Sequence, residues 1–223
     1  MTSEQTKDKN GAYVFSQSEP IYGRTFIPCQ DTPAVKATYS GKARAEKKYS
    51  VYFSAIVESV TEEGDHAITA FKMEQPIPSY LISVCVGVLE EKKLSERCAV
   101  ITEPSYLDEC AEEFSQMEDF LQTGERLIGM AYPLPAYKVI VLPPSFAYGG
   151  MENPITTFVT PSIVVGDKSA VNVVCHEIAH SWTGNLVTNS SWEDFWLNEG
   201  FTRYLESKMI KSLYGEAEYK AQI

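Results

Sequence analysis

His176-Glu177-Ile178-Ala179-His180 sets two imidazoles four residues apart, with a carboxylate directly after the first. On a helix this spacing stacks both rings on one face, one turn apart, so they can converge on one cation. Neutral imidazole nitrogens suit Zn²⁺. A carboxylate set off the ligand line can take a proton from water and return it to a leaving amine. After His180 come eighteen residues and then Glu199. Two antiparallel helices joined by a short loop would bring it to the same ion, and two His with one Glu leave a fourth position for water, as in a catalytic site. The pattern predicts one Zn²⁺ per chain, held by His176, His180 and Glu199, with Glu177 as general base. Glu206 lies two turns after Glu199 on the same face. It is a candidate to orient a ligand from behind, against the plainer reading of an exposed helix acid. His66, the remaining histidine, takes no role.

Two helices must carry this set. Asp167 can cap one running through about residue 183, ended by Gly184 and Asn185. Ser191 with Asp194 three residues on resembles a capping box for a second, through about residue 213 and closed near Gly215. Residues 105–128 place Leu107, Cys110, Ala111, Phe114, Met117, Leu121 and Leu127 at helical spacing, with acids on the other face. Residues 137–142 and 155–160 read as strands flanking a loop with paired glycines at 149 and 150. The first ninety residues read as β-rich, with strands at 35–40, 49–57, 67–73 and 80–89. The basic stretch 42–48 reads as a hairpin end, and 62–65 as a turn. The expected class is α+β, with a β-rich segment at 1–89 and an α+β segment at 90–223. Cys175 and the three tryptophans, Trp182, Trp192 and Trp196, read as core.

The chain has 223 residues, 44% of them hydrophobic, enough for a sizeable core. Thirty acidic against 19 basic residues give a net charge of −11, which argues against nucleic acid or an anionic membrane as partner. Residues 1–10 lack an apolar stretch, and the run 81–89 is too short to span a bilayer, so neither a secretory signal nor a membrane span is expected. Five cysteines, odd in number and without a C-x-x-C pair, support neither a disulfide framework nor a thiolate zinc site. Reduced thiols in the cytoplasm are the simplest expectation.

The H-E-x-x-H motif, its eighteen-residue spacer and Asn198-Glu199-Gly200 resemble the gluzincin aminopeptidases, the aminopeptidase N-like zinc exopeptidases of peptidase family M1. Gly149-Gly150-Met151-Glu152-Asn153 matches that family's G-x-M-E-N loop. Residues 13–17, 28–33, 142–146, 148–154 and 181–189 look most like its leukotriene A-4 hydrolase branch, and the likeness covers nearly the whole chain. The resemblance implies a truncated, saddle-like β-rich N-terminal domain at 1–89 and a partial thermolysin-like catalytic domain at 90–223. It implies a zinc metalloaminopeptidase that hydrolyses the first bond of peptides with a free N-terminus. In the leukotriene branch it also implies an epoxide hydrolase-like reaction on a lipid.

By the same resemblance, His176, His180 and Glu199 are zinc ligands, Glu177 is the general base, and Glu152 binds the substrate's α-amine. Gln17 and Glu19 match a Q-x-E segment that helps hold that amine, and Tyr148, Gly149, Gly150 and Met151 complete the substrate loop. The residue chemistry agrees: an acid beside the metal, on a loop whose glycines admit close backbone approach, measures one residue from an N-terminus. Glu19 stands where the epoxide-opening relatives tend to carry glutamine, which favours the aminopeptidase reading. A thermolysin-like endopeptidase is disfavoured by residues 149–153. The family's tyrosine proton donor lies dozens of residues after the third ligand, whereas 24 residues follow Glu199 here. That tyrosine and a helical C-terminal domain are therefore expected to fall outside this chain, which reads as a middle segment. The alternative is a catalytically incomplete fragment that acts as a binding or regulatory partner.

Overall fold

β-Branched and aromatic residues crowd the first half of the chain, and that half folds as strands. The computed structural model describes residues 1–222. Strands β1 (Val14–Phe15), β2 (Lys36–Glu46), β3 (Ser50–Phe53), β4 (Ile56–Glu63), β5 (His66–Pro78) and β6 (Val84–Gly87) form two antiparallel three-stranded sheets, ordered β1-β6-β3 and β2-β5-β4. Gly64, at φ +57°, makes the turn between β4 and β5 at the expected 62–65. The basic stretch does not sit wholly at a hairpin end. Lys42 and Arg44 lie within β2, and only Lys47 and Lys48 are in the turn.

Residues 49–57 do not make one strand either. The chain leaves the first sheet after Phe53 and enters the second at Ile56. Buried Ser54 anchors the corner, its hydroxyl accepting the Ser83 N–H at 2.9 Å while the Tyr39 hydroxyl donates to its carbonyl at 2.7 Å. Likewise 80–89 is a strand only over β6, after a 3₁₀ turn at Ser79–Leu81.

The second half builds a mixed sheet of β7 (Glu90–Lys93), β8 (Cys98–Thr102), β9 (Tyr137–Val141), β10 (Gly150–Met151) and β11 (Thr156–Val159), in the order β10-β11-β9-β8-β7. The central β8, β9 and β11 run parallel, and β8 and β11 are buried along their whole length, as parallel strands covered by helices must be. The helical stretch 105–128 is two helices, α1 (Leu107–Glu113) and α2 (Met117–Ile128), parted at Phe114 and stopped by Gly129 in the left-handed region. Its faces also differ from expectation: Leu127 is exposed, while Glu113 turns inward. The Glu113 carboxylate accepts the N–H groups of Gly166 and Lys168 at 2.8 and 3.0 Å, pinning the loop before the next helix.

That helix, α3 (Asn172–His180), starts later than Asp167, whose carboxylate instead accepts the Ser169 N–H in a tight turn. Helix α4 (Phe195–Tyr214) follows a 3₁₀ turn capped by Ser191, ends at Gly215 and is followed by α5 (Glu216–Gln222). One hydrophobic core runs through both halves, from Tyr13, Phe71 and Tyr80 to Phe120, Phe158 and Ile178. Cys175 and Trp182 belong to it, but Trp196 is 68% exposed on α4, against expectation. Among the described residues, no helix is long and apolar enough to cross a membrane.

Candidate active site

Helix α3 presents His176 and His180 from consecutive turns, and α4 packs against it with Glu199 facing the same point. The two Nε2 atoms stand 2.9 Å apart. Glu199 reaches the His176 Nε2 at 3.3 Å and the His180 Nε2 at 3.7 Å. Donors at about 2.0–2.2 Å from a tetrahedral ion lie roughly 3.3 Å from one another, so these spacings bracket what zinc requires. Two imidazole lone pairs and a carboxylate converging within 4.8 Å of one another fit a cation.

The backing of the two rings differs. Nδ1 of His176 meets Glu206 at 2.9 Å, which gives that acid an orienting position directly behind the ring. Glu206 is itself held by Arg203 at 2.8 and 3.0 Å. Nδ1 of His180 meets the Thr183 carbonyl at 3.2 Å and the Thr202 hydroxyl at 3.1 Å. Burial pulls the His176 imidazole down, but Glu199 and Glu206 outweigh it and lift the ring to about 10. These carboxylates favour a proton as they would favour a metal cation. Burial keeps His180 below its ordinary value, in the neutral form a metal ligand needs. Its bond to His176 holds Glu199 down as a carboxylate.

Across from α3, β10 carries the Gly-Gly loop along β11. Gly150 passes so close to α3 that a Cβ there would lie 2.1 Å from the Glu177 Oε1. Glu152 is buried beside His180, with 3.8 Å between its Oε1 and the His180 Nδ1, and the Asn185 side-chain amide fixes its backbone carbonyl at 2.8 Å. The Gln17 amide donates to the Met151 sulfur at 3.2 Å, which brings the N-terminal segment to this loop. Tyr148 is exposed beside it, and Gly149 has room for a Cβ, its nearest neighbour being Val173 at 3.7 Å. The structure thus brings together the sequence-derived set from the N-terminal segment, the Gly-Gly loop, α3 and α4.

The acids are crowded and short of partners. Glu19 Oε1, Glu152 Oε1, Glu177 Oε2 and Gln17 Oε1 are buried without a hydrogen-bond partner. Burial, then repulsion from Glu152, Glu199 and Glu177, pushes Glu19 up to about 9. Burial raises Glu177 in the same direction. Such a cluster suits an added positive charge, an ammonium or a metal ion.

A pH dependence follows. Between a carboxyl's ordinary value near 4.5 and its folded value near 9, folded Glu19 holds a proton that the unfolded chain has lost. Stability therefore falls as pH rises across that window. Raised Glu177 acts in the same sense, and so does His176 from about 6.5 to about 10. In the presence of chelator the chain is expected to melt about 5 °C or more lower at pH 8.5 than at pH 6.5, and Glu19→Gln to flatten that slope. A thermal melt series by circular dichroism checks this; equal slopes in the two proteins would contradict it.

Thr202, Thr183, Asn185, Asn198 and Tyr80 join the site although the sequence assigned none of them a role in it. Asn198 donates to the Tyr80 hydroxyl at 3.4 Å behind the acidic cluster. For Thr202 a signal existed: Glu199, Thr202 and Glu206 lie at helical spacing on one polar stripe of α4.

Known proteins resemble this chain over nearly its whole length. Leukotriene A-4 hydrolase of Xenopus laevis is 47% identical over 219 residues, which span 97% of this chain and 36% of that protein. Aminopeptidase B of Rattus norvegicus is 44% identical over 97% of this chain and 33% of its own length. The structure of native yeast LTA4 hydrolase superposes with a TM-score of 0.90 at 43% identity, covering all of this chain and 34% of that one. The chain thus spans about a third of the length of these relatives, with their β-rich N-terminal region followed by the start of the catalytic domain. The Peptidase M1 N-terminal domain profile matches residues 2–81, the Peptidase family M1 domain profile matches residues 112–223, and the chain belongs to peptidase family M1.

Proposed function

We propose that this chain carries the core of a zinc metalloaminopeptidase, acting on peptides with a free N-terminus. One Zn²⁺ would be held by His176, His180 and Glu199, with His176 oriented by Glu206. The observation that carries the reading is the pair of buried, unpartnered carboxylate oxygens on Glu19 and Glu152, set next to that His-His-Glu group. An endopeptidase has no use for anionic groups that would desolvate against a neutral peptide backbone; an exopeptidase uses them to grip an α-ammonium.

Zinc bound there supplies Lewis acidity and lowers the pKa of water. Glu152 and Glu19 hold the ammonium, so the first peptide carbonyl is set at a fixed distance from the grip. The Glu177 carboxylate takes the proton of the attacking water at one oxygen and returns it to the departing amine. Gly150 lets the loop lie against Glu177, which excludes bulk water from that proton. A lipid epoxide is the second substrate class, by likeness to a relative named leukotriene A-4 hydrolase; the acid at Glu19 favours the amine. We divide the N-terminal and catalytic portions between residues 89 and 90; that β7 opens the mixed sheet at Glu90 supports this. Five unpaired cysteines favour a cytoplasmic setting.

The purified chain is expected to bind one equivalent of zinc, and His180→Ala to lose it, as read by metal analysis after dialysis. A folded chain that binds no zinc, beside a folded Glu177→Gln control, would overturn the proposal. Turnover of an aminoacyl-arylamide separates the two roles. Hydrolysis by this chain supports a working enzyme, and hydrolysis only by a chain extended past Ile223 supports a binding or regulatory role for this length. Efficient cleavage of N-acetylated peptides would count against the exopeptidase reading.

A further inference from the structure

We propose that Thr202 is a positioning residue that fixes the tautomer and ring orientation of His180 for metal binding, which rests on the reading of His176, His180 and Glu199 as a metal site. Thr202 sits on α4, fully buried, three residues after Glu199, so one helix supplies both a ligand and the backing for another ligand. Its hydroxyl oxygen lies 2.6 Å from the Thr183 carbonyl and 2.8 Å from the Asn198 carbonyl. A hydroxyl has one proton, and carbonyl oxygens can only accept. The Thr202 proton is therefore committed to a carbonyl, and a lone pair is left towards the His180 Nδ1 at 3.1 Å.

The other close neighbour of that nitrogen, the Thr183 carbonyl at 3.2 Å, is also an acceptor. The Glu152 carboxylate stands off at 3.8 Å. Every polar group facing Nδ1 thus calls for N–H there, which leaves Nε2 bare and aimed at the metal position. Thr183 extends the arrangement. Its hydroxyl lies 2.7 Å from that of Thr202 and 3.1 Å from the Ala179 carbonyl, tying both threonines to the last turn of α3. His176 has a carboxylate in hydrogen-bond contact behind it, whereas the group in contact behind His180 is a neutral hydroxyl, with the Glu152 carboxylate farther off at 3.8 Å.

The test is made on the full chain with zinc as the probe. Nitrogen-15 NMR of the zinc-free protein is expected to show His180 as the Nδ1–H tautomer; an Nε2–H tautomer in the wild-type chain overturns the proposal without any variant. Thr202→Val removes the hydroxyl at nearly constant volume. It is expected to weaken zinc binding about 10–100-fold in competition with a chelator, and to mix the tautomers. Thr202→Ser, which keeps the oxygen, is expected to stay within about threefold of wild type. Thr202→Ala serves in place of valine if valine does not fold. Unchanged zinc affinity and an unchanged tautomer in the hydroxyl-free variant overturn the proposal. The tautomer is read without zinc and without substrate, so an inactive chain leaves this inference standing. A wild-type chain that binds no zinc but shows the expected tautomer overturns the metal reading instead.

Discussion

Glu177→Gln is expected to lower kcat for an aminoacyl-arylamide by about 10³-fold, with zinc content unchanged and KM within about threefold. The substitution keeps the shape of the side chain and removes only its ability to take a proton. Glu177 is almost wholly buried, with one oxygen against Gly150 and the other without a partner. Burial, with the nearby Glu152 and Glu199 carboxylates, holds it well above the usual carboxylate range in the protein alone, although His176 opposes this. A carboxyl kept protonated is no base. On the proposed reading, a bound metal ion and a substrate ammonium would lower it again and favour the carboxylate form that a base needs. Stability gives an independent readout on this chain alone. With chelator at pH 8.5, Glu177→Gln is expected to raise the melting temperature, because it removes a buried acid that the unfolded state ionises freely. Activity within tenfold of wild type, in whichever length of polypeptide turns over, would rule out the base role.

The convergence of His176, His180 and Glu199 was legible because it is written locally. Two histidines one turn apart and an acid in the next helix need only helical periodicity to converge. The loop carrying Glu152 was recognisable from its glycines and its family likeness, but what holds it was not. Asn185 and Gln17 reach it from segments 33 and 134 residues away in sequence. The β-rich half was legible in kind and wrong in detail for the same reason. Tyr49, Val51, Phe53, Ala55 and Val57 alternate as one strand, and nothing local shows that Ser54 bonds Ser83 and Tyr39 and turns the chain into another sheet. Glu113 makes the point for charge. A helix acid reads as solvent-facing until its two backbone donors, more than fifty residues on, are known. Thr202 lies between these cases: its spacing from Glu199 and Glu206 is in the sequence, yet a threonine in a helix carries no chemical signal until His180 is seen beside it.

Gly150→Ala is the other change expected to have a large effect, and its cause is confined to one contact. The backbone at Gly150 is an ordinary strand paired with Val159, and its φ lies outside the left-handed region, so alanine costs nothing in conformation. The obstacle is space. The added Cβ would lie 2.1 Å from the Glu177 Oε1, 2.4 Å from Cδ and 2.7 Å from Cγ. Either the loop lifts or the carboxylate is displaced, and both separate the proposed base from the proposed amine grip that Glu152 carries on the same loop. A shift of about 1 Å between such groups costs about 10²-fold in rate, so kcat/KM is expected to fall by that order. Overpacking is expected to cost about 1–3 kcal/mol of stability as well. Zinc affinity should change little, since His176, His180 and Glu199 lie on α3 and α4 rather than on the loop. Gly149→Ala is the control, its Cβ meeting only Val173 at 3.7 Å. The decisive measurement is a double-mutant cycle on stability. In a Glu177→Ala background the atoms that Cβ would strike are gone, so Gly150→Ala should cost almost nothing there. A cost that persists undiminished in that background would place the strain elsewhere in the loop and remove Glu177 as the reason for a glycine at this position.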